Sequence, residues 1–174
     1  MKTIVIYKSK TGFTKKYAEW IAEALSADVF NVSKVDINVV AGYDTVIYGG
    51  SLYAVGIIGV KYITQNLDKL KGKKVVVFAT GASPSSDEVI REVKDKNFTS
   101  NEQKHIQFFY LRGGFDYGKI SPFDKALMTL LKWKIKMKKE LTPEAKGMLS
   151  MYEKPVDFTM KKNIDKIITY VNSK

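Results

Sequence analysis

Short apolar runs alternate along the chain with longer stretches in which apolar residues recur every three or four positions. Runs at 3–7, 28–32, 45–48, 74–80 and 105–111 read as β-strands. Three of them (TIVIY, TVIY and KVVVFAT) are almost continuous in β-branched and aromatic residues, the composition of central parallel strands covered on both faces. The run at 28–32 is shorter and more mixed, which puts it near an edge. Between the strands, 14–27 carries Tyr17, Ala18, Ile21, Ala22 and Leu25 at helical spacing, and 57–70 carries Val60, Ile63, Leu67 and Leu70. A third helix is predicted over 86–96, with Ser85 or Ser86 as N-cap and Asp87 and Glu88 at the positive end of its dipole. A fourth, near 156–171, is expected to bury Met160, Ile164, Ile167, Ile168 and Val171. Strand and helix in alternation, joined by right-handed crossovers, predict an α/β fold with a doubly wound parallel sheet. No repeat or low-complexity linker interrupts the pattern, so one domain over 1–174 is expected.

The pattern breaks only over 113–155, about forty residues between the fifth strand and the last helix and too long for an ordinary connection. Such a segment either carries its own helix or serves function. From Lys125 to Lys139 it holds six lysines and no acid. On a helix, Lys125, Lys132, Lys136 and Lys139 share an arc of roughly 60°, with Leu127, Leu130, Leu131, Trp133 and Met137 mostly opposite. Lys134 and Lys138 intrude on the apolar side. A basic, Trp-bearing amphipathic helix suits an anionic membrane surface. A lid packed on its own domain, with a solvated lysine face, satisfies the same pattern.

Charge and composition narrow the partners. A formal charge of +11 over 174 residues attracts anions, whether phosphate ligands, acidic lipid headgroups, nucleic acid or an acidic partner. The absence of cysteine excludes disulfides, thiolate metal sites and a cysteine nucleophile. The opening MKTIVIYKSK is too short in apolar residues for a signal segment, and no run of about 18 apolar residues exists. A soluble, cytoplasmic protein is expected, with contact at the inner membrane face left open by the 123–139 segment.

The most specific motif directly follows the first strand: Ser9, Lys10, Thr11, Gly12, Phe13 and Thr14. A phosphate monoester needs many donors in a small space, and this run offers three hydroxyls, amides around Gly12 and a helix N-terminus. The segment resembles the flavodoxin phosphate loop, a hydroxyl-rich S/T-x-T-G-x-T run between strand and helix. The resemblance spans nearly the whole chain. It implies FMN as cofactor and a sheet in the order 2-1-3-4-5. In open parallel sheets, ligands bind beyond the carboxyl ends of the strands where strand order reverses, a rule of which flavodoxin is itself an example. The loop Gly49 to Gly56 then brings backbone close to a planar ring, with Ser51, Leu52, Tyr53, Ala54 and Gly56 in contact. The small polar loop Thr80, Gly81, Ala82 and Ser83 is expected at the pyrimidine edge of the flavin. Many flavodoxins sandwich the ring with an aromatic residue here. None stands in this loop, which leaves one ring face open or covered by Phe115 or Tyr117.

The run G-G-F-D-Y, then F-D-K and a Met- and Lys-rich helix, resembles the insertion of menaquinone-dependent protoporphyrinogen oxidases, matching at Tyr117, Asp124, Lys125 and Met128. This resemblance rests on about thirty residues. It implies an FMN-dependent oxidoreductase acting on protoporphyrinogen with a quinone acceptor. The alternative is a flavodoxin electron carrier with a redox protein as partner, although such carriers usually present an acidic face. Other candidates are bland. Gly113 with Gly118-Lys119 approaches a nucleotide-binding loop, but Ile120 replaces the hydroxyl that would hold magnesium. His105 is the one histidine and supports neither a metal cluster nor a Ser-His pair. Asp36, Asp44 and Asp68 sit near element ends, where acids cap helices. Lysines after the first strand argue against a phospho-receiver, and nucleic-acid binding lacks aromatic residues interleaved with the lysines.

Overall fold

The computed structural model describes residues 2–137, 149 and 154–173. Five parallel strands form its sheet: β1 (Thr3–Lys8), β2 (Asp28–Asn31), β3 (Thr45–Tyr53), β5 (Lys74–Gly81) and β6 (Ile106–Arg112). Their order is β2-β1-β3-β5-β6, as expected, and a short β4 (Gly56–Ile57) folds back antiparallel on β3. Registers such as Lys8↔Gly50 and Ser51↔Thr80 bring the carboxyl ends of β1, β3 and β5 level with one another. Strand order reverses between β1 and β3, so the loops after these strands face one crevice.

Period-two alternation decides which helices cover which face. Ile4, Ile6, Val46, Tyr48, Val75, Val77 and Ala79 point to one side. They pack against α2 (Ile37–Val40), α3 (Lys61–Thr64) and α4 (Asp87–Asn97) through Val40, Ile63 and Val93. Val5, Ile47, Val76 and Phe78 point to the other side. There they meet Tyr17, Ala18, Ile21 and Ala22 of α1 (Phe13–Leu25), and Ile167 and Val171 of the last helix, which we label α6 (Asp165–Asn172). Each fully buried side chain of this size contributes about 1.5–3 kcal/mol, so two covered faces hold the crevice rigidly. The glycines at the end of β3 belong to this core. A Cβ on Gly49 would lie 2.2 Å from Phe78 Cζ, so this glycine lets β3 pack closely on Phe78.

Three expectations are corrected. The helix over 57–70 is broken into β4, α3 and a 3-10 turn at Leu67–Leu70. Asn66 leaves helical backbone at φ −122°, and its side chain donates to the Tyr62 carbonyl, while Leu70 still reaches the core. Residues 156–171 do not form one helix either. Val156–Asp157 is a strand, β8, paired antiparallel with β7 (Gly114–Phe115). Asp157 Oδ1 then accepts from the Thr159 amide and hydroxyl, turning the chain before a 3-10 turn at Lys161–Ile164. Met160 is therefore exposed, not buried. His105 lies outside β6, exposed at the end of a 3-10 turn. The predicted third helix does start on the Ser86 cap, whose hydroxyl accepts from the Val89 amide.

After β7, a 3-10 turn at Tyr117–Lys119 leads into α5 (Pro122–Lys136). Lys139 of the predicted basic arc and Lys138 lie outside the described residues, as do the side chains of Leu131, Lys134 and Lys136. No helix among the described residues is long and apolar enough to cross a membrane.

Candidate functional site

The turn from β1 into α1 depends on Gly12, which caps the helix at φ 98°, a left-handed conformation that only glycine adopts without cost. Its amide donates to Ser9 Oγ at 3.1 Å, closing the loop on itself. The Phe13 ring packs under Gly114 of β7, tying the loop to the later segment. Thr14 is fully buried. Its hydroxyl lies 2.7 Å from Ser51 Oγ and 2.6 Å from Thr80 Oγ1, so the start of α1 and the ends of β3 and β5 meet in one hydroxyl chain. The Lys10 amide donates to Ser51 Oγ at 3.2 Å.

Beside this chain opens a cavity of about 700 Å³. Lys10, Thr11 and Phe13 line it from the first loop, Ser51, Leu52, Tyr53 and Ala54 from β3 and its hairpin, and Thr80, Gly81, Ala82 and Ser83 from the loop after β5. The structure therefore gathers eleven of the fifteen expected residues around one space; Ser9, Gly12, Thr14 and Gly56 support it from behind. The hairpin tip is held by Asn97 of α4, whose side-chain amide donates to the Val55 carbonyl and accepts from the Ile57 backbone N–H, both at 2.7 Å. Ala54 at the tip takes φ 51°, a left-handed backbone uncommon outside glycine, which the neighbouring pairing enforces.

The end of β6 fixes the 80–83 loop. The Gly113 amide donates to the Gly81 carbonyl, Arg112 Nε to Ala82 and the Tyr110 hydroxyl to Ser83. Burial pushes the Tyr110 phenol up to about 12, partly opposed by Arg112, so it remains a donor. These three carbonyls are engaged, and the loop's remaining capacity toward a ligand lies in its amides and hydroxyls.

A roof crosses the cavity. Phe115, Ile120, Asp124, Leu127, Met128 and Leu130 line it from the segment after β6, and Val89, Glu92 and Val93 from α4. Of the two aromatic residues expected as cover, Phe115 lines the space, and Tyr117 instead bonds α5 at Thr129 Oγ1. One ion pair bolts the roof to the first loop, with Lys10 Nζ 2.7 Å from Asp124 Oδ2. The same ammonium lies 4.1 Å from the Tyr53 ring centroid. The hydrogen bond from Lys10, then that from the Ser121 hydroxyl, holds the Asp124 carboxyl below its ordinary range. Sequence pattern does not mark Glu92 or Tyr110 as site residues, and names Asp124 only through the resemblance of its segment. Glu92 and Tyr110 sit inside a regular helix and strand, where local pattern assigns packing or solvent, and only the long-range geometry turns them inward.

The Flavodoxin domain family matches residues 4–142. The chain belongs to the flavodoxin domain family. An uncharacterized protein of Methanocaldococcus jannaschii is 33% identical over 124 residues, covering 68% of this chain and 79% of that protein. A flavodoxin of Maridesulfovibrio salexigens is 34% identical over 94 residues, 47% of this chain and 64% of the relative. Among solved structures, Megasphaera elsdenii flavodoxin aligns at a TM-score of 0.47 and 16% identity, over 87% of this chain and 99% of its own. The Trp repressor binding protein of Bacillus subtilis aligns at 0.47 and 16%, over 64% and 86%.

Membership of the flavodoxin domain family implies FMN as cofactor, and the donor set fits that group. An anionic phosphate calls for amides, hydroxyls and a cation; Lys10, Thr11 and Ser51 bring such groups to the cavity wall, with Lys10 Nζ also paired to Asp124. A flat ring calls for apolar walls, which Leu52, Val55, Val93 and Leu127 supply in a space within the range of cofactor sites.

Proposed function

We propose that this flavodoxin-domain protein is an FMN-dependent oxidoreductase that oxidises a flat, reduced tetrapyrrole of the protoporphyrinogen type with a quinone as acceptor. The observation that carries the reading is the roof. An electron carrier needs only a ring edge exposed to a protein partner, whereas here Ile120, Leu127, Met128 and Leu130 extend the cavity with apolar wall beyond the loops that hold a cofactor. The resemblance at Tyr117, Asp124, Lys125 and Met128 supports the same class.

In this reading the loop from Ser9 to Thr14 anchors the phosphate, Leu52 and Tyr53 pack on the ring, and the 80–83 loop meets its polar edge. When bound, FMN supplies the electron transfer chemistry. The protein orients reactants and excludes water beneath α5, and no side chain is required as an acid or base. The chain works as one domain with an insertion over about 113–155.

The exposed side of α5 supports a surface role. Phe123, Leu130, Trp133 and Met137 are 76%, 65%, 67% and 68% exposed. With Leu127 they span an arc of about 120° at helical spacing; Leu127 and Leu130 also edge the cavity, and Lys125 and Lys132 lie on the opposite side of the helix. An anionic lipid surface, where quinones reside, matches the exposed apolar arc and the net charge of +11. The protein is then cytoplasmic and peripheral.

The identity to the M. salexigens flavodoxin favours a second reading, an electron carrier between proteins. The charge of +11 weighs against it, since an acidic face is usual in such carriers. Anaerobic turnover separates the two. Oxidation of a porphyrinogen coupled to reduction of a menaquinone analogue is expected from the FMN-loaded protein. No turnover, with rapid electron exchange to a ferredoxin-type protein, would leave the carrier.

A further inference from the structure

The hydroxyl chain through Thr14 has a proton count that constrains the cavity. Ser51, Thr14 and Thr80 own three hydroxyl hydrogens, one each. Two oxygen–oxygen contacts, 2.7 Å from Thr14 to Ser51 and 2.6 Å from Thr14 to Thr80, consume two. One hydrogen remains. If Thr14 accepted from both neighbours, the spare hydrogen would be its own, in a fully buried residue that does not line the cavity, at the cost of a buried unpaired donor. The spare hydrogen therefore sits at one end of the chain, on Ser51 or on Thr80. Both ends line the cavity.

We propose that this chain is a directional relay that couples the phosphate end of the cavity to the Thr80 end, with Thr14 as the positioning residue between them. The proposal rests on the reading of the Ser9 to Thr14 loop as the phosphate anchor. Ser51 already accepts from the Lys10 amide of that loop, so its free hydrogen is the one an anion there attracts. With the anion in place, the hydrogens run from Thr80 to Thr14 to Ser51 to the anion. Thr80 then has only lone pairs to offer and selects a donor on the same ligand. With no anion, the chain reverses and Thr80 presents a hydrogen, selecting an acceptor. One buried hydrogen thus makes the two ends interdependent: a ligand with acceptors at both ends leaves one unpaired, whereas a phosphate at one end and a hydroxyl or N–H at the other satisfies all three residues. Isolated hydroxyl contacts impose no such rule.

The test is a mutant cycle on FMN affinity, read by flavin fluorescence on the full-length protein. Ser51→Ala, Thr80→Val and the double variant are titrated with Thr14 present, and again with Thr14→Val, which keeps shape and removes the hydroxyl. The relay requires that Ser51 and Thr80 couple, so that the double variant departs from the product of the single effects by at least about threefold. That departure must collapse to less than about 1.5-fold with Thr14→Val, and persist with Thr14→Ser, which restores the hydroxyl should the valine variant fold poorly. Additive effects throughout overturn the relay, as does coupling that survives Thr14→Val. Wild-type protein that binds FMN no more tightly than riboflavin overturns the phosphate reading beneath it, a failure seen before any variant is made.

Discussion

At Gly12 the backbone stands at φ 98°, and a Cβ added there would find nothing within 4 Å, so the residue is required by conformation alone and not by space. Gly12→Ala is expected to destabilise the fold by about 1–2 kcal/mol, the cost of left-handed backbone for an L-residue, measured as a shift in the denaturant midpoint at unchanged slope. A larger loss would mean that the added methyl meets something. The contrast with Gly49, where the same atom would collide with Phe78, separates two reasons for a glycine that look alike in sequence. Legibility at this scale follows that distinction. The hydroxyls of Ser9, Thr11 and Thr14 and their neighbour Gly12 are readable because they form a local motif, contained in one short run between strand and helix. That Thr14 would turn inward to Ser51 and Thr80 was not readable, because those partners lie 37 and 66 residues away.

Among the described elements, α5 is the one that joins a buried charge to an exposed apolar surface. Asp124 is buried on the Lys10 ammonium, whereas most of the apolar side chains around it face solvent. The helix was legible from its spacing, yet its inward face was not, since the pattern offered a lysine arc and an apolar arc, and the structure turns inward the side carrying Asp124 and Met128. The helix expected over 57–70 failed for a related reason: apolar spacing survives when Asn66 breaks the backbone, because a 3-10 turn still delivers Leu70 to the core. The Asp124 carboxyl titrates below its ordinary 3.8 in the folded chain, first through Lys10 and then through Ser121. A depressed carboxylate contributes fully above the unfolded value and loses that contribution as pH falls through the folded one. Release of FMN, followed by stopped-flow fluorescence, should therefore accelerate as pH drops from about 5 towards and below that value. Asp124→Asn should release FMN several-fold faster at neutral pH and remove most of the acceleration. Equal rates in the two proteins would mean that the Lys10 contact does not hold the roof.

For the whole molecule, the decisive quantity is where +11 charges and an exposed apolar arc coincide. Scattered surface apolar residues are normal, but Phe123, Leu127, Leu130, Trp133 and Met137 share one side of one helix, with Lys125 and Lys132 on the other. Each lysine brought to an anionic bilayer contributes about 1 kcal/mol, an attraction that fades over a screening length of about 10 Å at 0.1 M salt. Burial of the apolar arc is insensitive to salt. The two terms predict different signatures in co-sedimentation with vesicles. Vesicles carrying anionic headgroups should retain the protein at low salt, and neutral vesicles should retain much less. Trp133→Ala with Phe123→Ala should weaken retention at every salt concentration, because it removes the term that salt does not screen. Lys125→Gln with Lys132→Gln should weaken it mainly at low salt. Retention that vanishes at moderate salt and ignores the aromatic pair would reduce α5 to a charged patch that attracts any polyanion. The apolar arc would then have to be explained by a protein partner instead of a membrane.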